Sequence, residues 1–486
     1  MNKEKPNNLP MGSKEKLIVM FLFATTLLFM IDPLSSQGSM PPMTDQSVEK
    51  AVEGALLIDE GVPAHLIDVE LDLGVVSMTG IVPHLRAKER ATLVAETIKG
   101  VQSIVNRITV APSDRPDADV KADILEAFQE EPVTDSLDIT VIIHKGKVTL
   151  IGAVPSLAAR ALVREIAAGV WGVGEVKNDL TVNLGSIRDD QEIKDEISRL
   201  LENNVWINAN PIQVFVEEGQ VTLKGVVGSL AEKGRVRRET MVKGVTTVND
   251  KLLFIKKWAQ GEVRRTTKLG HKSDKAIKDV LTSAYLIDPR MSLRHLTVEV
   301  QDGVVTLQGK VPHFKIKKEA EKVAQHTRGV LWVENFIKVG PKANISAESL
   351  EQKVSKALNQ NVYVNSYNII ASAVKGKVYL AGTAHSDFEK EEAERAISDL
   401  SGVMEIKNQI IVKDPWKWKR DKILHKDIND EFWWSLFVDS EDISVQVENG
   451  TVTLQGTVDS WWEQEMAVRN AYEGGAKYVE NQLTIQ

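Results

Sequence analysis

The residues able to do chemistry are scattered. Nine histidines stand at 65, 84, 144, 271, 295, 313, 326, 385 and 425, and none forms an i, i+4 pair. A helical metal site needs two ligands on one face, so these make no short metal motif. His84 and His313 follow Val-Pro at equivalent places, where a solvated turn or a helix cap explains them. The chain has no cysteine, which excludes disulfides, thiolate metal sites and cysteine nucleophiles. There is no His-Glu-x-x-His, no phosphate loop ending in Gly-Lys-Ser/Thr and no Gly-x-Ser-x-Gly. Gly172 and Gly174 make a lone turn, not a dinucleotide fingerprint. Carboxylates such as Glu391, Glu392 and Glu394 follow solvent faces, and no catalytic pair stands out. The expectation is a protein that performs no catalysis and holds no metal or organic cofactor.

The tryptophans say more. Six of the ten stand at 416, 418, 433, 434, 461 and 462. Lys417, Lys419, Arg420 and Lys422 surround the first two. Amphipathic rings beside cations suit a lipid headgroup layer or a protein hot spot. Each such cation contributes about 1 kcal/mol at an anionic membrane. Trp416, Trp418, Lys419, Arg420, Trp433, Trp434, Trp461 and Trp462 are therefore the candidate contact residues. In each adjacent pair one ring can face a core while the other points outward. The competing reading packs all of them within the last repeat and its linker. A net charge of −8 argues against a general nucleic-acid binder.

The elements around these residues come from a repeat. Gly219-Gln220-Val221-Thr222-Leu223-Lys224-Gly225 is a turn glycine, an alternating strand and a closing glycine. The same pair recurs as Gly74 and Gly80, Gly146 and Gly152, Gly303 and Gly309, Gly376 and Gly382, and Gly450 and Gly456. Successive copies start 72, 73, 84, 73 and 74 residues apart, the size of a small domain rather than a solenoid repeat. The first glycine supplies the positive φ of a tight hairpin. The second, inside or at the end of a strand, marks a bulge or a close helix above it. An amphipathic helix precedes each hairpin, as in Ile193, Ile197, Leu200 and Leu201, with Asp190 or a neighbour to cap it. A second, alanine-spaced helix follows, as in Ala87, Ala91, Val94 and Ile98. It ends at Gly100, Gly169, Gly244, Gly329, Gly402 and either Gly474 or Gly475. A third strand carries an asparagine at 106, 178, 249, 335, 408 and 481, read as an amide that satisfies backbone groups.

Each unit thus reads helix, strand, strand, helix, strand. The hairpin is antiparallel, and the third strand, reached by a helical crossover, pairs parallel. The fold class is α+β: six tandem small domains, each a three-stranded mixed sheet covered on one face by two helices. Gly-x-Val-x-Leu-x-Gly, the alanine-spaced helix, Gly-Val and Val-x-Asn resemble the BON domain of bacterial osmotically induced periplasmic proteins. The resemblance covers residues 44 to 486 in six copies: 44–112, 116–184, 189–256, 273–340, 345–413 and 419–486. A basic linker, 257–272, divides them three and three. The departures are Ser77-Met78, Ala381-Gly382-Thr383-Ala384 and Gly474-Gly475-Ala476, which weaken packing locally.

Residues 1–43 stand outside the repeat. Four lysines precede an uncharged run, Leu17 to Ile31, and small polar residues follow it. This is the pattern of an export signal, and an uncleaved anchor fits it equally. The resemblance implies an exported, periplasmic envelope protein that binds anionic phospholipid surfaces as a string of modules and supports envelope integrity or osmotic stress tolerance. The second reading is a scaffold for envelope proteins or a secretion-associated assembly.

Overall fold

The computed structural model describes residues 43–485, apart from 132, 136, 186–187, 257–258, 260–271, 289, 292–295, 341–344 and 414–417. The leader and most of the long linker lie outside the described residues. The third module shows the pattern. A helix, Asp190–Asn203, precedes the strands Ile212–Glu217 and Gln220–Val227; a second helix, Leu230–Glu239, leads to the strand Thr247–Ile255. The hairpin is antiparallel, with Val214 opposite Leu223. The last strand runs parallel to the middle one, with Val248 opposite Val221. Six such sheets occur, each with its second strand in the centre. The α+β fold expected from the repeat is the fold observed. Ile193, Ile197 and Leu201 from the first helix and Val236 from the second close over Val221 and Leu223 in one core.

The hairpin turn has two residues with positive φ, Glu218 (50°) and Gly219 (70°), the geometry that matches strand twist. Its amides would point into solvent, but Asp190 accepts both, Glu218 N at 2.8 Å and Gly219 N at 3.0 Å. Asp117, Asp274 and Asp421 do the same in their modules. The cap of the helix is instead Asp189, whose carboxylate accepts from Gln191 N and Glu192 N. At the second glycine the close neighbour is backbone, not a helix. Gly225 has φ 129°, and a Cβ there would lie 1.9 Å from the carbonyl oxygen of Pro211, just before the first strand. The asparagine ties the second helix to the third strand. Asn335 Nδ2 donates to Lys317 O at 2.9 Å, and its Oδ1 accepts from Ile337 N at 3.2 Å. In the second module the left-handed residue after the helix is Gly172 (φ 99°), while Gly169 keeps a helical φ of −78°. In the sixth it is Gly475 (φ 109°).

The modules do not form an open string. Residues 43–486 make one compact body, and its contacts come in equivalent pairs. Arg164 of module two pairs with Glu89 of module one, and at the same places Glu394 of module five lies 3.8 Å from Lys318 of module four. Asn204 of module three forms a β-bridge with Thr327 of module four, as Ser435 of module six does with Ile98 of module one. Modules two and five meet through Lys353 and Glu130 at 2.5 Å. Each three-module half thus uses its surfaces as its counterpart does, the arrangement of a two-fold dimer within one chain. These contacts come from helices and the turns that end them, so the outer sheet faces stay open to solvent.

Candidate functional site

Modules three, four and six meet around a cavity of about 110 Å³. Its walls are built from matching positions of modules three and six: Val205 and Leu436, Trp206 and Phe437, Ser229 and Ser460. Trp206 and Phe437 follow the first helix of their modules. Their rings meet edge to face, with centroids 4.6 Å apart. Trp462 closes on Trp206 at 5.5 Å and on His326 of module four at 4.6 Å. Burial, with Arg235 and Lys322 adding to it, pushes His326 down to about 3, so its ring is neutral at pH 7.

Ser229 and Ser460 cap two helices whose N-termini border the cavity. Three residues on, Glu232 and Glu463 reach back to loop amides. Glu232 accepts from Asn208 N at 2.8 Å and Gly228 N at 2.7 Å. Burial raises its pKa to about 7, against the pull of those two amides. Glu463 accepts from Asp439 N and Asp459 N in the same way. The Ser-x-x-Glu spacing was the legible sign of this device.

The expected contact residues are mostly occupied elsewhere. Trp416 lies outside the described residues. Trp418 is exposed, at 67 %, and Arg420 is exposed beside it. Lys419 is held by Asp427 at 2.7 Å and by Gly474 O at 2.8 Å. Trp433 is half-buried, with the Lys99 ammonium of module one 5.1 Å from its ring. Trp434 packs against the core of module one. Trp461 borders a hollow with Leu331, Trp332 and Val333 of module four. Four of the rings therefore join module six to its neighbours, rather than packing within it or pointing into solvent. His84 caps its helix, accepting from Ala87 N at 3.0 Å, but it is half-buried edge-on to Tyr363 of module five rather than solvated. His313 is buried, at 4 % exposure.

The outer sheet faces carry what the tryptophans do not. Phe215 and Phe254 of module three are 46 % and 54 % exposed, and Lys224 lies 4.6 Å from the Phe215 ring. Trp332 and Phe336 of module four and Ile370 and Ile411 of module five are also exposed. No described helix is long and apolar enough to cross a membrane, and the run from 17 to 31 lies outside the described residues.

The chain is similar to the osmotically-inducible protein Y of Escherichia coli (strain K12), 32 % identical over 33 % of this chain and 79 % of that protein. It is 31 % identical to a 21 kDa hemolysin of Actinobacillus pleuropneumoniae, over 23 % of this chain and 59 % of the relative. It is 27 % identical to the outer membrane lipoprotein DolP of Haemophilus influenzae, again over 23 % and 59 %. The model of the BON domain matches at 44–112, 116–183, 189–256, 273–341, 346–414 and 420–486. With six matches that take up most of its length, each falling on one helix-strand-strand-helix-strand unit, the chain belongs to the BON domain family.

Proposed function

We propose that this is an exported, non-enzymatic envelope protein whose outer sheet faces bind anionic phospholipid surfaces. One observation carries the reading: the modules spend their helical sides on each other and leave large apolar side chains, with lysines among them, on the opposite side. Phe215, Phe254 and Lys224 form such a patch, and Trp418 with Arg420, just ahead of the first helix of module six, adds an exposed ring beside a cation. Aromatic rings beside cations settle at the headgroup layer. The similarity to an outer membrane lipoprotein and to an osmotically inducible protein supports a place in the envelope and a part in its integrity under osmotic stress. The basic head and apolar run at the N-terminus support export.

Flotation of the purified chain with vesicles tests this. Vesicles containing an anionic phospholipid should carry the protein up, and neutral vesicles should carry much less. Phe215→Ser with Phe254→Ser, or Trp418→Ala, should lower the floated fraction, while Lys194→Gln, on the first helix of module three, should not. Protein that stays at the bottom with anionic vesicles would rule the reading out. A second reading, a scaffold for envelope proteins, is favoured by the outer strands: the first and third strand of every sheet are edges. Capture of the same envelope partner with and without lipid would favour it.

A further inference from the structure

Arg235 sits at the junction cavity with no carboxylate to pair with. It is the sixth residue of its helix, as Arg90 is in module one. Both guanidinium groups lie over an aromatic ring of another residue, Arg90 4.4 Å from Phe388 and Arg235 4.7 Å from Trp206. Arg90 also pairs with Asp59 at 2.5 Å, and Asp59 is the residue that ends the first helix of its module. In module three that residue is Asn204. Its amide donates to Glu239 instead, at 2.7 Å.

Arg235 therefore keeps its ring and loses its counter-ion. Among the described residues it has no hydrogen-bond or ion-pair partner; Glu239 acts on it only at longer range. Arg235 is half-buried, and desolvation, with Arg238 adding to it, pulls its pKa down to about 10. The two glutamates nearby do not serve, because Glu232 and Glu463 spend their oxygens on backbone amides. A second guanidinium lines the same cavity. Arg328 donates to Ile207 O at 2.9 Å, and its Nε is buried without a partner. Asp459, at the exposed rim, is the acid that acts on it. A desolvated cation without an acceptor is costly to hold. Arg235 makes no hydrogen bond among the described residues and Arg328 leaves its Nε unpartnered, so beside two helix N-termini and walled by Trp206, Phe437 and Trp462 the two guanidinium groups keep unspent donors at the cavity.

We propose that this cavity binds a small ligand joining an oxyanion, carboxylate or phosphate, to a flat apolar group. The oxyanion takes Arg235 and Arg328, and the flat group lies among the three rings. The site is independent of the outer sheet faces.

The test is a titration of the full chain with phenyl phosphate, benzoate, phenol and inorganic phosphate, followed by tryptophan fluorescence and by melting temperature. Phenyl phosphate or benzoate should saturate the signal and raise the melting temperature, and which of the two binds tighter identifies the oxyanion. Phenol and inorganic phosphate should each bind roughly tenfold or more weakly, since each lacks one half of the recognition. Arg235→Met, checked for an intact thermal transition, should weaken the better anion by at least about tenfold. The melting-temperature arm uses the unaltered chain, so the proposal stands or falls even if the variant does not fold. Failure of both aryl anions to saturate, phenol binding as tightly, or unchanged affinity in a folded Arg235→Met variant would overturn it.

Discussion

At the residue scale, a few side chains recur because the backbone leaves them no alternative. Gly225 combines a φ of 129° with a carbonyl 1.9 Å from where a Cβ would stand. Gly225→Ala should destabilise the chain by about 3 kcal/mol or more, read as a lower urea midpoint, because both strain and clash oppose it. His84 offers a pH test. Burial, reinforced by Arg86, drives it down to about 4 from 6.5. An unfolded chain takes up that proton from pH 6.5 downward while the folded one refuses it, so stability is lost as pH falls from 6.5 towards 4. Glu232 and Glu431, both pushed up to about 7, run the opposite way between 7 and 4.5. The comparison must therefore be between variants. His84→Asn keeps a capping side chain without the titration, and it should gain stability relative to the natural chain as pH falls from 7 to 4.5. A constant difference across that range would show that His84 is not held neutral.

At the scale of elements, the repeat was legible because glycine and asparagine answer backbone demands that are local. The six glycine pairs sit at equivalent hairpins, and Asn335 makes the backbone bonds its position implied. What local reasoning missed was the second partner. Asp190 or a neighbour was expected to cap the helix; the neighbour Asp189 does so, and Asp190 holds the hairpin turn 28 residues away. The second glycine was expected at a bulge or under a close helix, yet a backbone carbonyl presses on it. Sequence spacing gives the element and not the element facing it. Asp117 makes the turn contact in module two, and its two backbone bonds to Gly146 and Lys145 hold its pKa below 3.8. Asp117→Ala should therefore speed amide hydrogen exchange at Lys145 and Gly146, with little change at the corresponding amides of module three. Equal exchange in both chains would mean that the turn needs no helix to hold it.

At the scale of the whole body, the sequence was least informative, and the tryptophans show why. A ring at a contact between modules and a ring at a membrane have the same amphipathic neighbourhood. Trp433, Trp434, Trp461 and Trp462 are taken up by modules one, three and four, partners that lie far away along the chain. Trp206 and Arg235 gave no sign of the junction by themselves. The sign was Asn204 in the place of Asp59, visible only once the modules are laid over one another. The central claim is that six copies close into one body by their helical sides, module one meeting module six. The chain has no cysteine of its own, so a single engineered pair reports this directly. Ile98 and Ser435 are opposed in an antiparallel bridge, and bridged Cα atoms lie about 4.5–5.5 Å apart, within disulfide reach. Oxidation of the Ile98→Cys, Ser435→Cys chain should give a monomer with one internal disulfide, seen as a faster band without reductant. A chain that stays uncrosslinked, or links only to other copies, would contradict the closed arrangement.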